Sequence, residues 1–373
     1  MELSRNLSTL RLSGIRRYTA LATQVGGCVM LTLGEPEFDT PRPIVEAAKA
    51  ALDSGFTHYT ENRGYPSLRK AIAAFEEENR GLTYTEDEII ITAGATEAIF
   101  IAMMGVLNPG DEVIIPVPAF SLYGTIAKLL GAVPVELDTS SMGFQLTADA
   151  LAQAITPRTK LLVLNSPNNP TGVIYTEENL RRIGSTIQGK DIFVLSDDVY
   201  WGLSPCFTFS QLTGLRPQIL SVQSFSKPYA MTGWRTGYLM APLEVAQKLT
   251  ALHGHCVSCV PAMLQQACLT ALTVDPMPMA QCYTQRRDYL CARLEQMGLP
   301  HIRPQGAFYV FPDIRHLNMT SDTFCTRLIR EGRVATVPGS VFGAEGFFRM
   351  SYCCAMDALK TGLDRLESFI HTL

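Results

Sequence analysis

Four short runs rich in β-branched and apolar residues recur along the middle of the chain: DEVIIPVP (111–118), KLLVLNSP (160–167), DIFVLSDD (191–198) and QILSVQSFS (218–226). Between them lie SLYGTIAKLLG, TADALAQAI and TEENLRRIGSTI, each with the apolar spacing of a helix. The runs are continuously apolar rather than alternating, which is the pattern of strands covered on both faces. Strands separated by helices of that length predict an α/β fold whose central sheet is mainly parallel and flanked by helices. Such sheets bind ligands beyond the carboxyl ends of their strands. Asn169 and Lys227 each follow one of these runs, and Asp197 stands at the end of one.

After about residue 240 the pattern changes. Long helical stretches run through LEVAQKLTALHG, PAMLQQACLTAL and AQCYTQRRDYLCARLEQMG. A shorter α+β segment follows, with GAFYVFPD, VATVPG, GFFRMSY and a final helix MDALKTGLDRLESFI. The expected organisation is a large domain over residues 39–280 and a smaller α+β domain built from 1–38 and 281–373. The 373 residues are enough for both.

Composition removes several function classes. Hydrophobic residues are 47% and charged residues 18%, so a large core is available. The net charge of −4, with no basic block, gives no support to nucleic-acid binding. No apolar run reaches membrane-spanning length, and MELSRNLSTLRLSGIRRY lacks a signal-peptide core and reads as a helical start, so a cytoplasmic protein is expected. The ten cysteines are scattered, several in apolar periodic segments such as those of Cys268, Cys291 and Cys325, and read as reduced, buried thiols. HGHCVSC (253–259) crowds its ligands too tightly for the usual zinc spacing, so no metal is expected.

The chemistry concentrates in SFSKPYAMTGWRTG (224–237). A lysine at a strand's carboxyl end, partly desolvated, forms a Schiff base with a carbonyl. Ser224 and Arg235 are placed to reach a phosphate. Upstream, the glycine-containing turn of TAGATEAIF (92–100) opens an apolar helix whose N–H groups and dipole favour a second phosphate contact. Read alone, that turn is also how an N-capped helix after a strand looks. Asp197 in LSDDVYW closes a buried strand, where a carboxylate needs a positive partner such as a pyridinium nitrogen or a structural hydrogen bond. Tyr200 and Asn169 are candidates for a phenolate oxygen on the same ring, and Phe120 for its face. Taken together, these residues at successive strand ends describe a site for pyridoxal 5′-phosphate.

Over essentially its whole length the chain resembles the class I/II, fold-type I pyridoxal-phosphate aminotransferases. The motifs are LGEPEFDTP, HYTENRGYPSLRKAIA, TAGATEAI, NPGDEVIIPVPAF, NSPNNPTG, LSDDVY, SFSKPYAMTGWRTG and FRMSY, in the family's order. The resemblance implies Lys227 as the Schiff-base lysine, Asp197 as partner of the ring nitrogen, and Asn169 and Tyr200 on the ring's oxygen. Gly94, Ala95, Thr96, Ser224 and Arg235 match the phosphate cup and Phe120 the stacking ring. Arg349 matches the clamp on the substrate α-carboxylate, and Gly34 a backbone contact to substrate. Tyr59 matches a residue that reaches the phosphate of a partner subunit, so a homodimer with shared sites is implied. SGIRRY resembles a segment lining the substrate entrance, which makes Ile15, Arg16 and Arg17 candidates there. Two positions depart from the pattern: Pro228 follows the lysine, and Trp201 stands where an acidic residue is usual and is expected in the pocket wall.

These expectations add up to transfer of an amino group from an L-amino acid to a 2-oxo acid, with 2-oxoglutarate as acceptor and a neutral or aromatic donor. The alternative on the same fold is a carbon–sulfur β-lyase, which shares the lysine, the acid and the arginine.

Overall fold

A computed structural model of the chain describes residues 5–8, 10 and 13–373. Of the stretch read as a helical start, residues 1–4, 9, 11 and 12 lie outside the described residues; the remainder holds helices Arg5–Ser8 and Gly14–Val25.

A two-residue strand, β1 (Val29–Met30), precedes the main sheet. That sheet has seven strands: β2 (Ile89–Thr92), β3 (Glu112–Val117), β4 (Val133–Asp138), β5 (Thr159–Asn165), β6 (Phe193–Asp197), β7 (Ile219–Ser224) and β8 (Gly237–Met240). Their spatial order is β2-β8-β7-β6-β5-β3-β4. All pairs from β7 across to β4 are parallel, whereas β8 runs antiparallel to both of its neighbours. The mainly parallel α/β architecture read from the sequence is therefore present, with one reversed strand inserted near an edge.

The continuous apolar runs are explained by two cores. Val113 and Ile115, Leu161 and Val163, Leu195, and Leu220 and Val222 face one of them, with Ile99 and Met103 of helix Gly94–Val106. The intervening residues Ile114, Leu162, Val194 and Ile219 face the other, with Leu180, Ile183 and Ile187 of helix Glu177–Ile187. Successive strand side chains point to opposite faces, so a sheet covered on both sides needs apolar residues at every position. Each such side chain contributes about 1.5–3 kcal/mol on full burial. β4, at the edge, is only partly covered, and its mixed VPVELD sequence follows from that.

The remainder of the chain builds two smaller sheets. β1 pairs in parallel with β10 (Val334–Ala335). β9 (Tyr309–Val310), β11 (Val337–Pro338) and β12 (Phe348–Ser351) form an antiparallel sheet of order β11-β12-β9. The long helix Met277–Gln296 is tied to the final helix Met356–Ile370 by Arg293, which contacts Asp364 at 2.7 Å and Glu367 at 3.0 Å. Among the described residues no helix is long and apolar enough to cross a membrane, and no group of three or more His, Cys, Asp or Glu side chains is arranged to hold a metal ion.

Candidate active site

β5 stops at Asn165, β6 at Asp197 and β7 at Ser224, and Asn165 is in register with Asp197. Because β8 is reversed, its first residue, Gly237, pairs with both Thr92 and Ser224 at that same end of the sheet. Strand direction alone thus gathers the residues just beyond positions 92, 165, 197 and 224, and those just before 237. A cavity of about 280 Å³ opens there. Lys227, Asp197, Asn169, Tyr200, Ser224, Arg235 and Arg349 line it, as do Ile15, Gly34, Ala95, Thr96 and Phe120.

One end of the cavity is an anion cradle. Helix Gly94–Val106 begins two residues after β2, and the first N–H groups of a helix have no partner within it. Gly94 adopts φ +76, and a Cβ there would lie 2.7 Å from Nη2 of Arg235. The bare turn is what lets the guanidinium rest on the helix start, where Arg235 Nη1 also donates to the Thr232 carbonyl at 2.9 Å. The turn is fastened from behind. The Ala93 N–H donates to Glu97 Oε2 at 2.5 Å, and Glu97 Oε1 meets Nδ1 of buried His253 at 2.7 Å. The first histidine of HGHCVSC is thus a partner of this carboxylate.

Lys227 is half-buried, and its Nζ donates to the Gly34 carbonyl at 2.5 Å and lies 5.9 Å from the Phe308 ring centroid. Burial is the main force on its pKa, which falls to about 8; Arg235 and Arg349 push the same way, while Cys353 and Glu35 oppose. Asp197 is 3% exposed, and burial raises its carboxyl to about 6 although the Tyr123 hydroxyl donates to Oδ2 at 2.6 Å.

Arg349, on β12, is 1% exposed. Nη1 donates to Asn169 Oδ1 at 2.8 Å, Nη2 donates to the Thr32 carbonyl, and the guanidinium carbon lies 4.5 Å from the Tyr309 ring centroid and 4.9 Å from that of Phe342. Its Nε is buried and has no hydrogen-bond partner among the described residues. Asn169 is fixed in turn, since its N–H donates to Asn165 Oδ1 at 2.8 Å and Asn165 Nδ2 donates to the Asp197 carbonyl at 2.9 Å. Among the described residues, four cations line the cavity, Arg16, Lys227, Arg235 and Arg349, against one carboxylate, that of Asp197. The surplus suits a ligand, or a ligand pair, carrying several negative charges.

The family described as aminotransferase class I and II matches residues 27–366. The chain belongs to that family. It is a transaminase with the fold of the fold-type I pyridoxal-phosphate enzymes. It is 43% identical to a probable N-acetyl-LL-diaminopimelate aminotransferase of Bacillus subtilis (strain 168), over 97% of this chain and 94% of the relative. It is 37% identical to aromatic-amino-acid aminotransferase 2 of Thermococcus litoralis, over 99% of this chain and 98% of the other. Among solved structures it is similar to aspartate aminotransferase from Thermus thermophilus with maleate, at a TM-score of 0.94 and 35% identity over 99% of both chains. These are aminotransferases by name, and none supports the carbon–sulfur lyase alternative.

The transaminase brings together nearly all the residues singled out from its sequence, with some exceptions. Gly94 lies beneath Arg235 rather than in the cavity wall. Tyr59 is 88% exposed and takes no part in the cavity of its own chain. Trp201 is not in the pocket wall: it is buried in a short helical turn, under the Arg80 guanidinium at 5.1 Å and edge-on to Phe75. Of the two arginines of SGIRRY, Arg16 lines the cavity, whereas Arg17 reaches Asp322 at 3.4 Å. Sequence reasoning missed Tyr123 and Tyr309. The available signal was a tyrosine in an otherwise apolar segment, whose hydroxyl needs a partner when buried.

Proposed function

We propose that the chain is a pyridoxal-phosphate-dependent aminotransferase that moves the amino group of a neutral or aromatic L-amino acid to 2-oxoglutarate. The observation that carries this reading is the position of Lys227, a half-buried amine of lowered pKa in one cavity with the carboxylate of Asp197 and the cations Arg235 and Arg349. The donor set fits the cofactor: a phosphate matches Arg235 against the helix start, a protonated ring nitrogen matches Asp197, and the unpartnered Nε of Arg349 awaits a carboxylate.

In this reading Ser224, Arg235 and the N–H groups of Gly94, Ala95 and Thr96 would hold the phosphate, Phe120 would cover a ring face, and Asn169 and Tyr200 would donate to the ring oxygen. When bound, the cofactor withdraws the electron pair left on the substrate's α-carbon as its proton departs. Asp197, when ionised, would face the ring nitrogen and would favour its protonated form. Lys227, as a neutral amine, would accept on Nζ the proton that leaves the substrate's α-carbon, and its pKa near 8 makes that neutral form accessible at neutral pH. Arg349 fixes the α-carboxylate and thereby the direction of the Cα–H bond. Residues 39–280 are assigned to the cofactor-binding domain, and 1–38 with 281–373 to the smaller one. Tyr59 is assigned to the phosphate of a second copy in a homodimer working in the cytoplasm.

Apolar Ile15, Leu33, Ile99 and Phe120 in the cavity suit an uncharged donor side chain. The test is borohydride reduction of the holoenzyme followed by peptide mapping. A label on Lys227 is expected; a label on any other lysine contradicts the assignment.

A further inference from the structure

We propose that Tyr309 is a positioning residue of this site: its ring fixes the plane of the Arg349 guanidinium, and its hydroxyl orients that of Tyr200. The proposal rests on the function given above. Tyr309 is 1% exposed, yet it lines the cavity. Its hydroxyl lies 2.9 Å from the Tyr200 hydroxyl, which is its one hydrogen-bond partner among the described residues. Its ring covers Arg349 at 4.5 Å, with Phe342 at 4.9 Å. Two aromatic contacts restrict the guanidinium to donating through its edges, the geometry a carboxylate requires.

Tyr309 is held by backbone, independently of any ligand. The N–H groups of Gln305 and Gly306 donate to the Gly172 carbonyl at 2.8 and 2.9 Å, which seats the segment on the NSPNNPTG turn. Gly172 has φ +71, and a Cβ there would lie 2.6 Å from the Tyr309 carbonyl oxygen. On the other side, a Cβ at Gly34 would lie 1.7 Å from the Tyr309 hydroxyl. Residue 34 is therefore bare because Tyr309 fills that space, and the carbonyl of this same Gly34 accepts from Lys227. Tyr309 thus touches the residues that position the lysine, the carboxylate clamp and the ring-oxygen donor.

The hydroxyl pair has a preferred direction once the site is loaded. Burial raises both phenols, Tyr309 to about 12, so both keep their protons at neutral pH. If Tyr200 donates its hydrogen bond to a ligand oxygen, the bond between the two hydroxyls has Tyr309 as its donor. Tyr309 then donates to Tyr200 and strengthens the outward bond.

Tyr309→Phe keeps the ring and removes the hydroxyl; Tyr309→Leu removes both. We expect Tyr309→Phe to lower kcat about tenfold, the scale of one lost hydrogen bond. It should also move the pH at which the bound cofactor's absorbance changes, and leave the Kd for 3-phenylpropionate, a carboxylate without an amino group, within about twofold. Tyr309→Leu should in addition raise that Kd and the substrate KM about tenfold. Tyr200→Phe/Tyr309→Phe should be no slower than Tyr200→Phe alone, because the two hydroxyls act as one unit. A merely structural tyrosine would lower the thermal midpoint of cofactor-free protein in both variants and leave the absorbance titration and the cycle additive; that result overturns the proposal. If the wild-type enzyme does not transaminate, the proposed function falls, and the 3-phenylpropionate arm still decides whether Tyr309 supports Arg349.

Discussion

Asp197 and Asp198 are consecutive in the chain and direct their carboxylates into different environments. Asp197 lines the cavity, where the Tyr123 hydroxyl donates to it at 2.6 Å. Asp198 is enclosed in a buried cluster, accepting from Arg80 Nη2 at 2.5 Å, Thr208 at 3.1 Å, Ser210 at 2.9 Å and Ser196 at 2.8 Å. Arg80 also holds Glu76 at 2.9 Å. The alternation of side chains at a strand end separates a site carboxylate from a structural one.

Substitution of the two should give opposite phenotypes. Asp197→Ala is expected to fold and to lose about a hundred- to several-thousand-fold in turnover, equivalent to the 3–5 kcal/mol of a broken buried pair. Asp198→Ala should instead lose about 3–5 kcal/mol of unfolding free energy in urea. Equal losses of turnover in well-folded variants would mean that the wrong carboxylate is assigned.

Asp197 also predicts a pH dependence of the cofactor-free protein. Its folded pKa of about 6 lies above the ordinary aspartate value of 3.8, so between those values the folded state binds more protons than the unfolded one. Stability then falls as pH rises from about 4 to 6, by about 3 kcal/mol from this group at about 1.4 kcal/mol per unit. Asp197→Asn should remove that part of the slope. Unfolding free energies measured across pH 4–7 check it; identical slopes would refute it.

Arg16 and Arg17 are expected to separate by substrate. Arg16 is exposed and lines the cavity with no ion-pair partner among the described residues, whereas Arg17 is engaged with Asp322. Arg16→Ala should raise the KM for 2-oxoglutarate about tenfold, or 1.4 kcal/mol, and leave that for phenylalanine unchanged. Arg17→Ala should change neither. Steady-state kinetics with both substrates decides it.

The proposed homodimer is tested by complementation. Lys227→Ala and Tyr59→Phe, each impaired alone, should give active heterodimers when mixed, in which one site holds both native residues. No recovery above the separate proteins would place Tyr59 in its own subunit.

The fold was legible where burial on both faces left continuous apolar runs, as in β3, β5, β6 and β7. The four-residue strands β2 and β8 are too short to show a period, and the edge strand β4 is only partly covered, so none of the three was read. Lys227, Asp197 and Asn169 were legible because a strand end is a local feature. Tyr123 and Tyr309 were not, since their relation to Asp197 and Tyr200 arises only from contacts across 74 and 109 residues. Trp201 was expected in the pocket wall by its place next to Tyr200. The helical turn at 201–203 instead rotates it onto Arg80, which no local signal specifies.

The central claim is amino-group transfer to 2-oxoglutarate. The direct measurement incubates purified holoenzyme with aspartate, alanine, methionine or phenylalanine and 2-oxoglutarate, and quantifies glutamate, ammonia and the 2-oxo acid products. The account predicts glutamate equal to the new 2-oxo acid, no ammonia, and methionine or phenylalanine ahead of aspartate. Ammonia with pyruvate, or aspartate leading by about tenfold or more, would contradict it.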